Sequence, residues 1–92
     1  MRNNYFSKKY KYYVYYKRQE VLGHPEKIFR REKNSPYNKK SVQHYNTDVS
    51  QWCQSPWTDV EFQGYIETYP LDVKEISEAE SRRFIMAQEL LK

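Results

Sequence analysis

Tyr10-Lys11-Tyr12-Tyr13-Val14-Tyr15-Tyr16-Lys17 is the run on which the fold turns. β-branched and aromatic side chains suit a pleated, half-buried strand, and the run holds five tyrosines and a valine in eight residues. A strand sends alternate side chains to opposite faces. Tyr10, Tyr12, Val14 and Tyr16 then form an apolar face, while Lys11, Tyr13, Tyr15 and Lys17 form a face of rings bracketed by ammonium groups.

Downstream, Gly23-His24-Pro25 is a turn signal, because glycine supplies positive φ and proline fixes its own φ. Lys27-Ile28-Phe29-Arg30-Arg31 can return as the partner strand, which predicts a β-hairpin over 10–32. Residues 1–9 read as a flexible basic arm. Residues 32–41, broken by Pro36, read as a basic loop.

Further along, Val42, Tyr45, Val49 and Trp52 fall at helical spacing, but Asn46-Thr47-Asp48 is cap chemistry. The expectation is a short helix from near Asp48 to before Pro56. Over 58–69, Val60, Phe62 and Ile66 alternate with Glu61, Gln63 and Glu67, which predicts a strand with one wet face, with Gly64 marking a bulge or close contact. Ser77-Glu78-Ala79-Glu80 is a capping box opening a C-terminal helix. Its predicted buried stripe is Phe84, Ala87 and Leu91, flanked by Met86 and Leu90. The fold class is α+β: a small, mostly antiparallel sheet, built from the N-terminal hairpin plus the strand near 58–69 and packed by the C-terminal helix.

With 92 residues the chain is expected to form one domain over 1–92. No apolar run is long enough to span a membrane. The polar start carries no apolar leader region, so no secretory signal is expected. The lone Cys53 has no internal disulfide partner and points to a reducing cytoplasm. Val, Ile, Leu and Phe together number only eighteen, so several of the ten tyrosines must serve as core.

The net charge of +4 is unevenly placed. Residues 1–44 hold twelve Lys/Arg against three Glu, or +9, and residues 45–92 hold four against nine Asp/Glu, or −5. A basic half interleaved with rings suits a polyanion or an acidic protein surface. The plainer reading is that the two halves neutralise each other on folding.

Catalytic and metal chemistry find little footing. His24, His44 and Cys53 lack the close pairing that zinc sites use, so no metal or cofactor is expected. A Cys53–His44 pair is conceivable, but an inert thiol is the stronger reading. No phosphate-cradling glycine loop or hydrolase motif occurs, and a chain with two glycines can hardly build one. The expected function is therefore binding, not catalysis.

The candidate binding residues are Lys9, Lys11, Tyr13, Tyr15, Lys17, Arg30, Arg31, Lys39 and Lys40. Lysine and arginine neutralise phosphates and phenol rings stack on unpaired bases, which predicts a small regulatory or inhibitory protein engaging nucleic acid or a nucleoprotein. The alternative is a protein–protein regulator, of the kind that mobile elements or phages carry, bound to a host protein without nucleic acid. Trp52 and Trp57, close together around a turn-prone segment, are candidate partner anchors in that case, although both suit a core. A homodimer is compatible with so meagre an aliphatic core.

Overall fold

The computed structural model describes residues 9–16, 27–33 and 40–92. Strands β1 (Tyr10–Tyr15) and β2 (Lys27–Glu32) pair antiparallel, with Tyr12 opposite Arg30 and Tyr13 opposite Phe29. The two strands of the expected hairpin are thus paired, while its turn at Gly23-His24-Pro25 lies outside the described residues, as does most of the arm over 1–9 and of the loop over 32–41. Strands β3 (Gln43–Asn46), β4 (Gln51–Gln54) and β5 (Val73–Ile76) complete a five-stranded antiparallel sheet in the order β4-β3-β2-β1-β5. Helices α1 (Asp59–Thr68) and α2 (Glu78–Leu91) make the domain α+β, with the C-terminal helix packed on the sheet. Among the described residues no helix is long and apolar enough to cross a membrane.

Strand alternation sorts the side chains between two layers. Tyr13, Tyr15, Phe29, Arg31 and Val73 share one face, and α1 packs there: the Phe62 ring lies 5.1 Å from Tyr13 and 5.3 Å from Phe29. Tyr13, Phe29, Val42, Phe62 and Val73 form the buried cluster of this layer. Tyr10, Tyr12, Val14, Ile28, Arg30, Tyr45 and Trp52 share the other face with α2. That helix starts just after Ile76, opposite Tyr12, and ends where the Lys92 ammonium donates to the Thr47 carbonyl at 2.7 Å. It therefore runs obliquely from the β5 edge to the β3–β4 turn. Val14 and Ile28 are sealed beneath it, each 1% exposed, burial worth about 1.5–3 kcal/mol per side chain.

Three sequence expectations are overturned. The strand near 58–69 is helix α1. Its Thr58 hydroxyl accepts the Glu61 N–H at 3.2 Å while the Glu61 carboxylate accepts the Thr58 N–H at 2.8 Å, a full capping box. Trp57, just before the cap, packs on Phe62 at 5.7 Å and fixes the angle at which the chain enters the helix. Asp59, Phe62, Tyr65 and Ile66 face inward at helical spacing, so Val60 is left 52% exposed. Gly64 marks neither a bulge nor a close contact; nothing lies within 4 Å of where its Cβ would stand.

The helix expected from Asp48 is the β3–β4 hairpin. Tyr45 and Trp52, seven residues apart, are not stacked along a helix but face each other across the ladder. The Asn46 side chain accepts the Asp48 N–H at 2.9 Å, and Ser50 takes a left-handed φ of 53° to close the turn.

The C-terminal helix has its predicted capping box at Ser77 and Glu80, but only part of its predicted stripe is covered: Phe84 and Ala87 are half-buried and Leu91 is exposed. Its fully buried residue is Ser81, while Met86, Leu90 and Leu91 are 64%, 80% and 73% exposed. A small side chain at Ser81 lets the helix backbone approach the sheet, and its hydroxyl is satisfied by the Glu78 carbonyl at 2.6 Å. Phe84 and Ile85 lie on the same side as Ser81 and are half-buried, while Met86, Leu90 and Leu91 are left outward.

Candidate nucleic-acid interface

One corner of the α2-facing sheet surface gathers rings and cations. Tyr10 opens β1, and Arg30 reaches toward it from β2. The Arg30 guanidinium lies 4.1 Å from the Tyr10 ring centroid and 4.4 Å from the ring of Trp52 on β4, so it is clasped between two aromatic faces. Its Nε donates to Gln43 Oε1 at 2.6 Å, and Gln43 is its register partner on β3. Trp52 is set edge-on against Tyr12 at 6.0 Å and against Tyr45 at 5.5 Å. Tyr10, Arg30 and Trp52 are all half-buried, so each keeps part of its surface to solvent.

Lysines border this stack. The exposed Lys9 ammonium stands 5.6 Å from the Tyr10 ring, and the Lys9 carbonyl accepts the Lys33 N–H at 2.9 Å, which brings two lysines to one end of the β1–β2 ladder. Lys40 is held by its backbone, its carbonyl accepting from the Gln54 side-chain amide at 2.9 Å, while its charge acts on Glu61 of α1, toward the other face of the sheet. Among the described residues the ion pairs are Arg82–Glu78 and Lys92–Glu89, both within the α2 segment, so Lys9 and Lys33 have no ion-pair partner there. The positive surface ends on the β5 side, where Glu75 and Glu78 line a small hollow beside Tyr10, Lys11 and Lys33.

The remaining candidates are placed elsewhere. Tyr13 is 3% exposed, with its phenol pushed up by burial and its hydroxyl accepting from Arg31 Nε at 3.2 Å. Tyr15 is half-buried against Tyr65, 6.2 Å away. The two rings expected to stack on bases instead hold α1. Arg31 is committed to the same interface, donating to Gln63 Oε1 at 2.5 Å and to the Asp59 carbonyl at 3.5 Å. Lys11, half-buried, shares this face opposite Arg31. Trp57 braces α1 and stacks on Phe29, with 14° between the planes. Lys17 and Lys39 lie outside the described residues.

No family model matches the chain, no curated protein matches its sequence, and no solved structure matches its fold. The reading therefore rests on the chemistry of the molecule itself.

Of the predicted binding residues, Lys9 and Arg30 come together, and Trp52 joins them, while Lys40 turns its charge toward Glu61 of α1. Tyr10 lies on the same face as Tyr12 and Val14, as alternation predicts. Its place at the first residue of the strand, beside the start of α2, leaves its ring half-buried at the corner. The signal in the sequence was parity: Tyr10, Tyr12 and Arg30 fall on one face once the hairpin register is set.

His44 and Cys53 are register partners on β3 and β4, on the face that α1 covers. Loss of solvent, and then the charge of Lys27, pushes His44 below the usual histidine range. The Cys53 thiol is half-buried and points to the Gln51 carbonyl at 3.8 Å. Among the described residues, no group of three or more His, Cys, Asp or Glu side chains is placed to hold a metal.

Proposed function

We propose that this chain is a small non-enzymatic binding protein that holds a single strand of nucleic acid on the Tyr10–Arg30–Trp52 corner, in the cytoplasm. The observation that carries the reading is the guanidinium clasped between two half-exposed rings, with Lys9 and Lys33 at the same end of the β1–β2 ladder. Unpaired bases stack on aromatic and guanidinium planes, and lysines track the phosphates. A sheet face that carries exposed rings is one established way to present such a platform.

Fluorescence anisotropy with labelled single-stranded DNA and RNA, over a series of salt concentrations, tests the proposal. Binding that weakens linearly in log–log form with salt, and that favours single strands over duplex, is the expected result. Absence of binding to every strand at low salt overturns it.

A second reading has its own support. Met86, Leu90 and Leu91 leave an apolar strip of α2 in solvent, the kind of surface that marks a protein partner. Capture of a partner that survives nuclease treatment and is lost on Leu90→Glu favours this regulator reading.

A further inference from the structure

On the other side of the sheet, under α1, a cavity of about 290 Å³ opens among Tyr15, Lys27, Phe29, Trp57, Tyr65 and Val73. We propose that it binds a small planar aromatic acid, its ring against Phe29, Trp57 and Tyr65 and its carboxylate at the Lys27 ammonium. This inference is independent of the nucleic-acid reading, because the two sites occupy opposite sheet faces and share no residue.

Three observations select that class of ligand. The walls are aromatic: Trp57 lies 5.0 Å from Tyr65 and 6.2 Å from Phe29, so a flat ring finds π surface on several sides. The volume is near the lower end of the roughly 300–1,000 Å³ of ligand sites, which fits one or two fused rings better than a larger cofactor.

The polar groups are donors. Lys27 is exposed, opposite Tyr15 in the register, and has no ion-pair partner among the described residues. Tyr15 and Tyr65 face each other with ring centroids 6.2 Å apart, and the Tyr65 phenol is pushed up to about 12, first by burial and then by Tyr15, so it stays protonated near neutrality. A protonated phenol can donate to an incoming acceptor. Asp72 is felt by Tyr65 but does not line the cavity. His44, held neutral by loss of solvent and by Lys27, adds no second cation.

Three probes of one shape and different charge test the proposal on the full chain: indole-3-acetate, indole and tryptamine, each titrated by NMR. The expected order is acid over neutral indole over amine, with the acid about ten-fold tighter than the amine. The shifts should fall on the Trp57 indole N–H and the Tyr65 ring. Lys27→Gln, at an exposed position, is expected to weaken the acid about five-fold and leave indole unchanged. An independent readout is His44, whose depressed pKa should rise when a carboxylate occupies the Lys27 end. Equal affinity for the three probes, shifts centred on Trp52 and not Trp57, or no shift with any probe at millimolar concentration overturns the proposal.

Discussion

Ser41 donates both its backbone N–H and its hydroxyl to the carboxylate of Asp59, at 2.8 and 2.7 Å. Both residues are buried, and Asp59 is the first residue of α1, where the positive end of the helix dipole favours its charge. The Ser41 oxygen also accepts the Glu32 N–H at 3.1 Å. One carboxylate thus joins the end of β2, the approach to β3 and the start of α1. Asp59→Ala strands two buried donors, and the expected loss is about 3 kcal/mol of stability, with Ser41→Ala costing less. Urea unfolding checks this through the midpoint at constant slope. A loss under about 1 kcal/mol for Asp59→Ala contradicts the account.

Gly64 sits in the interior of α1 with open space where a Cβ would stand. Glycine there costs backbone entropy and provides no close approach in return. Gly64→Ala is expected to stabilise the protein by about 0.5–1 kcal/mol, read as a rise in melting temperature. Destabilisation by the same change would mean that the segment is not held as a regular helix.

That segment also explains how far the sequence could be read. Val60, Phe62 and Ile66 fit a strand's period of two, and Phe62 and Ile66 equally fit a helix. The Thr58-x-x-Glu61 box, the same signature correctly read at Ser77-x-x-Glu80, was the deciding signal. A buried aspartate at position 59 could not be foreseen, because its partner Ser41 is remote in sequence. The β1–β2 pairing was legible from alternation alone. The helix expected in 48–55 failed because Tyr45 and Trp52 satisfy helical spacing and also meet across a hairpin. The site was half legible: residue types and the basic half pointed to the β1–β2 region, but which rings remain open depended on where α1 and α2 lie. Tyr13 lies under α1, while Tyr10, beside the start of α2, stays half-buried.

The Tyr45 hydroxyl donates to Glu89 at 2.6 Å, tying the sheet to the last turns of α2. With Lys92 and Ser50 adding to this bond, Glu89 is held down to about 2, against an ordinary value of 4.5. Its folded pKa lies below its unfolded one, so its contribution is complete above about 4.5 and is lost as pH falls toward about 2. In Tyr45→Phe the largest cause is gone, and the Glu89 pKa should rise part of the way toward 4.5, since Lys92 and Ser50 remain. A carboxyl NMR titration reads this directly. An unmoved Glu89 would show that the hydroxyl contributes nothing.

Stacking and phosphate contact leave different marks on binding, and the corner site separates them by residue. Trp52 offers ring surface without charge, so Trp52→Ala should weaken single-strand binding about ten-fold while the salt slope stays as it was. Lys9 and Lys33 offer charge without a ring. Lys9→Gln and Lys33→Gln should each lower that slope by about 0.7, the value for one phosphate on a single strand, with a smaller loss of affinity. Arg30→Lys keeps the charge but loses the planar group that lies between Tyr10 and Trp52, so it should behave like Trp52→Ala. Trp52 also supports Tyr12 and Tyr45, so circular dichroism and a melt must accompany each variant. Tyr13→Phe is the internal control: its ring is buried, so affinity should hold even if stability falls with the lost Arg31 bond. Equal effects from Trp52→Ala and Tyr13→Phe at matched stability would remove the corner from the binding surface.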